Sequence, residues 1–307
     1  SLELALARAQ SIKAQPKKWY TEGNRKSIGL LFFNPSLRTR LSSQRAAQNL
    51  GMDVVVLDVG SESWKLEFSD GKIMNGASAE HIKEAAGVMG AYFDFLAIRA
   101  FASLQDRDLD YAEPVLTSFM KHAGVPIINM ESSTGHPLQA FADLITIDEF
   151  KKTERPKVVL SWAPHPRALP HAVANSFAQW MNRAPVDLII THPEGYELDP
   201  KFVGSARVET NQFLAFEGAD FIYAKNWSSY NHYGQVLHQD FAWMINQVKM
   251  DLTNQAYFMH CLPVRRNMIV SDQIIDSPKS LVIQQAANRV VSMQTVLSML
   301  LEQKGSK

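Results

Sequence analysis

The sequence predicts an α/β protein made of two open, parallel-sheet, Rossmann-like domains with an active-site cleft between them. Short apolar runs alternate with amphipathic stretches along the whole chain, the rhythm of strands joined by crossover helices. Runs such as Val54-Val55-Val56-Leu57 and Val158-Val159-Leu160 are apolar on both faces, as a strand between two helix layers requires. The 307 residues hold about nine such runs, which fit two sheets of four or five better than one large sheet.

In the first half, strands are expected at 27–33, 53–58, 94–99 and 126–130. In the second half they are expected at 157–162, 187–191, 220–224, 256–260 and 280–283. Helices are expected at 39–50, 79–91, 109–123, 136–151, 171–182, 200–217, 271–276 and 286–303. The charged connector Lys151-Lys152-Thr153-Glu154-Arg155-Pro156 precedes a new strand and places a domain boundary there. The expected domains are thus 1–150 and 151–285, with the apolar-striped stretch 286–307 packing back on the first.

Composition narrows the function. Hydrophobic residues make up 46% and charged ones 20%, with a formal net charge of +0, so bulk electrostatics hold no nucleic acid and any anion site is a local cluster. No apolar run approaches the roughly 20 residues of a membrane span. A single cysteine, Cys261, excludes an internal disulfide framework and suits a reducing compartment. The opening Ser1-Leu2-Glu3-Leu4 lacks a basic, signal-like start, so a cytoplasmic location is expected. No ligand cluster has zinc spacing, and neither metal nor cofactor is expected.

The most informative stretch is Ser36-Leu37-Arg38-Thr39-Arg40. It follows the apolar run Ile28–Phe33 and the turn residues Asn34-Pro35, and it opens a helix-like run that closes on Gly51. Strand, turn and helix aim free backbone N–H groups at an anion, and arginine adds a bidentate fork for phosphate oxygens. A capped helix with solvated arginines is the alternative reading of the same residues.

Ligands of open α/β domains bind beyond the carboxyl ends of the strands. Polar clusters stand at those places repeatedly: Ser36–Arg40, Arg99, Glu131 with His136-Pro137-Leu138-Gln139, His165-Pro166-Arg167, Lys225-Asn226-Trp227, and His260-Cys261-Leu262-Pro263-Val264-Arg265-Arg266. No Gly-x-Gly-x-x-Gly follows any strand, which disfavours a nucleotide-dependent dehydrogenase.

Ser-x-Arg-Thr-Arg, His-Pro-x-Gln and His-Cys-Leu-Pro, in that order and at these spacings, resemble the aspartate/ornithine carbamoyltransferases over nearly the whole chain. The resemblance implies a donor site for carbamoyl phosphate on the first domain, an amine site on the second, and a homotrimer with shared active sites. It implies that Ser36, Leu37, Arg38, Thr39 and Arg40 cradle the phosphate, and that Thr39, Arg99 and His136 polarise the carbonyl oxygen. Gln139 holds the carbamoyl NH₂ with the backbone carbonyls of Cys261 and Leu262, and Arg289 reaches back to the donor. Trp64 matches the tryptophan of a loop that enters a neighbouring subunit's site.

His-Cys-Leu-Pro resembles the ornithine branch of the family, yet no Ser-Met-Gly occurs. Lys225 stands where an acid would read a free α-amino group, and a cation there repels an ammonium and suits a carboxylate. This resembles the branch that uses N-acylated ornithine, whose acceptor contacts match Glu131, His165 and Lys225. Acetyl-using members carry Glu at the position of Ala79. A glutamate there would repel the terminal carboxylate of a succinyl group, so Ala79 predicts N-succinyl-L-ornithine as acceptor and N-succinyl-L-citrulline as product, in arginine biosynthesis. Arg265 or Arg266, with Lys225, would supply charge for the substrate's carboxylates. N-acetyl-L-ornithine is the alternative acceptor, and a non-catalytic small-molecule sensor is the alternative class.

Overall fold

The computed structural model describes residues 1–59 and 64–305. The first half holds helix α1 (Leu2–Ala14), strand β1 (Ser27–Phe32), α2 (Arg38–Asn49), β2 (Asp53–Asp58), and the short strands β3 (Leu66–Glu67) and β4 (Glu80–His81). It continues with α3 (Ile82–Tyr92), β5 (Phe95–Arg99), α4 (Arg107–Tyr111), α5 (Pro114–His122), β6 (Ile127–Glu131) and α6 (Pro137–Phe150). The second half opens with β7 (Lys157–Trp162), α7 (Ala172–Met181), β8 (Asp187–Thr191), α8 (Pro200–Val203), β9 (Arg207–Glu209) and α9 (Gln212–Phe216). It closes with β10 (Phe221–Lys225), α10 (Gln247–Met250), β11 (Tyr257–Met259), α11 (Asp272–Ile275) and α12 (Val282–Gly305). None of the described helices is long and apolar enough to cross a membrane.

The strands form two parallel sheets of the expected size, ordered β2-β1-β5-β6 and β11-β10-β7-β8-β9, with β3-β4 as a separate pair. Period-2 alternation sends each strand's side chains into two cores. Ile28, Leu30 and Phe32 pack with Ala46 and Ala47 of α2 and with Met293 and Leu297 of α12. Leu31 packs with Ile82 and Ala86 of α3 and Phe119 of α5. In the second sheet Val158, Leu160 and Trp162 meet Val173 and Phe177 of α7, whereas Val159 meets Phe216 of α9 and Ile274 of α11. Helices therefore cover both faces of each sheet, and each fully buried aliphatic side chain contributes roughly 1.5–3 kcal/mol.

Sheet order decides where ligands bind. In the first sheet the chain steps from β1 to β2 on one side and later returns to β5 on the other. The second sheet does the same around β7, with β8 on one side and β10 on the other. Loops diverge at these reversals and leave a crevice. Ser36–Arg40 follows β1 and Arg99 ends β5 at the first reversal; His165 follows β7 and Lys225 ends β10 at the second. Helix α6 is buried along most of its length, and α12 lies against α6, α2 and α1.

Several expected elements are corrected. The helix at 109–123 is two helices, because Pro114 begins α5 and Glu113 sits at φ 49°; proline has no N–H for a continuing helix and clashes with the preceding turn. The helix at 200–217 breaks after α8 at Gly204, whose φ is +58°. The chain then adds β9 to the sheet edge and restarts as α9, capped by Asn211. The strand at 280–283 is a lone bridge between Phe258 and Ser280, and α12 already begins at Val282. Residues at the start of the helix expected over 79–91 form β4, and His81 caps α3 by accepting from the Lys83 N–H. Helices α1 and α10 and strand β3 had no counterpart in the sequence reading.

Candidate active site

A cavity of about 220 Å³ lies at the ends of the strands and is lined from both halves of the chain. Ser36, Arg38, Thr39, Arg99, Glu131, His136, Gln139 and Arg289 reach it from one side; His165, Lys225, Cys261 and Leu262 reach it from the other. Twelve residues named from sequence thus converge on one space.

The first turn of α2 forms one end of the cavity. Its N-cap position, Leu37, provides no side-chain cap, and Ser36 Oγ accepts from the Thr39 N–H at 3.2 Å. Arg38 faces the cavity and forms no ion pair among the described residues. Arg40 instead pairs with Asp58, its guanidinium 4.8 Å from the Phe32 ring centroid.

Thr39 is the hub of the hydrogen bonds on this side of the cavity. Its Oγ1 accepts from Arg99 Nη1 at 3.0 Å and from Arg289 Nη2 at 2.6 Å. A hydroxyl has two acceptor lone pairs and one proton, so with both pairs occupied its O–H is left to donate into the cavity. Arg289 Nη1 also donates to Gln139 Oε1 at 2.8 Å. Arg99 pairs with Glu131, and His136 Nε2 lies 3.2 Å from Glu131 Oε2. Burial, then Arg289, Arg99 and Lys225, hold His136 well below the usual imidazole range, so it is neutral at pH 7. Among the described residues His136 Nδ1 is buried without a hydrogen-bond partner. Burial pushes Glu131 above the ordinary carboxylate range, against the pull of Arg99, Arg289 and Lys225.

On the facing side, Arg265 Nε donates to His165 Nε2 at 3.1 Å. His165 Nδ1 lies 2.9 Å from the Arg167 carbonyl oxygen and accepts from the Arg167 N–H at 3.1 Å. Lys225 forms no ion pair among the described residues. Arg266 points away and pairs with Asp272 and Asp276. Burial raises the Cys261 thiol above its ordinary value, which keeps it protonated and a poor nucleophile. Leu262 has φ 53°, and its bond to Pro263 is cis. A non-glycine residue in the left-handed region is uncommon and gathers at ligand sites.

Leu37, Arg40, Trp64 and Ala79, also named from sequence, do not line the cavity, and neither do Arg265 and Arg266. Leu37 is 67% exposed and Trp64 56% exposed. Ala79 is exposed as well, and Arg40 is held by Asp58. Trp64 and Ala79 are nevertheless neighbours on the β3–β4 unit: Trp64 Nε1 donates to Glu80 Oε2 at 2.8 Å, and the Ala79 N–H donates to the Lys65 carbonyl at 2.8 Å. Ser61, Glu62 and Ser63, which precede Trp64 in the loop named from sequence, lie outside the described residues. Phe101, Leu169, Pro170 and Val173 line the cavity but were not singled out in the sequence. They are ordinary apolar residues whose role is visible only once the chain is folded. Among the described residues no cluster of three or more His, Cys, Asp or Glu could hold a metal ion.

Comparison with known proteins agrees with this geometry. Residues 1–149 match the aspartate/ornithine carbamoyltransferase carbamoyl-P binding domain, and residues 170–300 match the Asp/Orn binding domain of the same family. An N-succinylornithine carbamoyltransferase from Bacteroides fragilis is 57% identical over 98% of this chain and 95% of its own. An N-acetylornithine carbamoyltransferase from Xanthomonas axonopodis pv. citri is 36% identical over 99% of this chain and 94% of its own. A solved glutamate-to-valine variant of N-acetyl-L-ornithine transcarbamylase, complexed with carbamyl phosphate and N-succinyl-L-norvaline, superposes with a TM-score of 0.92. It is 36% identical, covering 97% of this chain and 96% of that one. The chain belongs to the aspartate/ornithine carbamoyltransferase family.

Proposed function

We propose that this chain transfers the carbamoyl group of carbamoyl phosphate to the side-chain amine of N2-succinyl-L-ornithine, giving N-succinyl-L-citrulline and phosphate, a step of arginine biosynthesis. The observation that carries the reading is the convergence of Arg38, Arg99, Arg289 and a neutral His136 on one wall of the cavity, opposite Lys225 and His165.

In this reading residues 1–150, with 286–307, hold the donor and 151–285 the acceptor. Phosphate sits at the start of α2, on Ser36, Arg38 and the first-turn N–H groups; Leu37 contributes backbone, and Arg40 steadies the turn through Asp58. The carbonyl oxygen takes hydrogen bonds from the Thr39 hydroxyl, Arg99 and His136, a preorganised set that strengthens as negative charge develops. Gln139 Oε1 and the Cys261 and Leu262 carbonyls accept from the carbamoyl NH₂. The neutral acceptor amine attacks the carbonyl carbon. The new C–N bond forms, the C–O bond to phosphate breaks, and the amine proton leaves on the phosphate.

An alkylammonium with a pKa near 10.4 is mostly charged at pH 7, so the cluster of cations around the cavity favours the deprotonated amine. Lys225, His165 and Arg265 meet the acceptor's carboxylates, and Glu131 orients the acceptor while neutralising Arg99. The free α-ammonium of ornithine meets repulsion from Lys225. Trp64 and Ala79, side by side and exposed, enter the cleft of a neighbouring copy in a homotrimer. The small Ala79 leaves room, without negative charge, for the succinyl carboxylate. Support comes from relatives 57% and 56% identical that are named N-succinylornithine carbamoyltransferases.

The test is formation of a ureido product from carbamoyl phosphate and N-succinyl-L-ornithine by the purified chain. Stoichiometric phosphate release with product supports the reading. No product with any ornithine derivative would instead favour a binding protein.

A further inference from the structure

We infer that Asp143 is a positioning residue for the transfer: it turns the Gln139 amide so that oxygen, not nitrogen, meets the donor's NH₂, and it ties that amide to the Cys261–Leu262 turn. The inference rests on the carbamoyl-phosphate reading and deepens it.

A glutamine amide presents an acceptor at one end and donors at the other. Beside an NH₂ group only the oxygen is useful, and what fixes the orientation is the partner of the nitrogen. Asp143 lies one helical turn after Gln139 on α6 and is completely buried. Its Oδ1 accepts from Gln139 Nε2 at 2.7 Å. Gln139 Oε1 is thereby turned toward Arg289, at the cavity wall.

The same oxygen accepts from Gln285 Nε2 of α12 at 2.8 Å. That bond orients a second amide, whose Oε1 accepts from the His260 N–H at 2.9 Å. His260 Nδ1 in turn accepts from the Leu262 N–H at 2.9 Å. One buried oxygen thus sets both acceptor groups that the reading gives the carbamoyl NH₂: the Gln139 side chain, and the turn bearing the Cys261 and Leu262 carbonyls. No lysine or arginine pairs with Asp143 among the described residues. The groups that donate to its Oδ1 are neutral amides, as expected of a group that orients dipoles rather than balances charge. Burial pushes its carboxyl up to about 7, so a neutral amide replacement is compatible with the site.

Two substitutions separate positioning from mere packing. Asp143→Leu keeps the branched outline, in a bulkier side chain, and removes both acceptor oxygens. Asp143→Asn keeps one oxygen that can take both glutamine N–H groups. Steady-state kinetics are to be read beside product inhibition by inorganic phosphate, which occupies the α2 end and has no NH₂. For D143L the inference predicts a KM for carbamoyl phosphate raised about tenfold or more and a lower kcat, with the phosphate inhibition constant within about twofold. For D143N it predicts a KM within about threefold of the unsubstituted chain. If D143L does not fold, Asp143→Ser, too short to reach Gln139, takes its place and is read the same way.

Unchanged KM in the leucine or serine variant, or KM and phosphate inhibition shifting together, overturns the inference. So does a folded D143N as impaired as the leucine or serine variant. No turnover by the unsubstituted chain overturns the functional reading and this inference together, whereas turnover with unaltered variant kinetics overturns the inference alone.

Discussion

Arg289 Nη2 donates to Thr39 Oγ1 at 2.6 Å, joining α12 to the first turn of α2 across most of the sequence. Arg99 fills the second acceptor position of the same hydroxyl, leaving its proton for the cavity. Thr39→Val removes that proton and both acceptors. It should lower kcat by about 10²-fold, the cost of losing one preorganised oxyanion donor, while Thr39→Ser stays within about threefold. Equal kcat in T39V and the unsubstituted chain would remove Thr39 from the carbonyl site.

The buried Arg99–Glu131 pair makes a stability prediction. Removing one partner of such a pair leaves an uncompensated charge and costs about 3–5 kcal/mol. Glu131→Ala should therefore lower the urea midpoint clearly more than Glu131→Gln, which still accepts from Arg99. Equal midpoints for the two variants would mean that the pair contributes little to the fold.

Asp143 fixes the sign of a pH effect. Its carboxyl is raised from 3.8 to about 7 by burial, opposed by hydrogen bonds from Gln285 and Gln139, by the neighbouring Tyr223 hydroxyl and by Arg289. The folded chain therefore binds this proton more tightly than the unfolded chain. The resulting stability is complete below about pH 4 and is lost as pH rises through about 7. Asn carries no titrating proton, so D143N should gain stability relative to the unsubstituted chain between pH 5 and pH 8, read from urea midpoints at each pH. A difference that stays constant across this range contradicts the raised carboxyl.

Ala79 and Trp64 share one exposed unit. Ala79→Glu places a carboxylate where the reading puts the succinyl group. It should raise the KM for N-succinyl-L-ornithine by about tenfold or more, with the KM for carbamoyl phosphate nearly unchanged. Parallel losses for both substrates would argue against the assigned role. Sedimentation at working concentration checks the shared site: a trimer is expected, and a monomer with full activity would exclude a contribution from a neighbouring copy.

The β-α alternation was legible because buried parallel strands leave short two-faced apolar runs, and both sheets appear at the expected size. The strand-end clusters were legible because sheet reversals expose those ends. The stretch 200–217 misled because its apolar residues suit either a helix or an edge strand, and Gly204 settles the matter only through its backbone conformation. Asp143 and Gln285 left no separate signal: one sits on a helix face that reads as core, and the other meets it only after α12 folds against α6. The nearness of Trp64 to Ala79 depends on β3 pairing with β4, strands of two residues each, too short to mark a sequence.

Acceptor choice is read from kcat/KM for N-succinyl-L-ornithine, N-acetyl-L-ornithine and L-ornithine, each at saturating carbamoyl phosphate. The succinyl compound should be preferred over both others by about 10²-fold or more, since charge complementarity with Lys225 and the space at Ala79 act together. Faster turnover of the acetyl compound, or of free ornithine, would contradict the account.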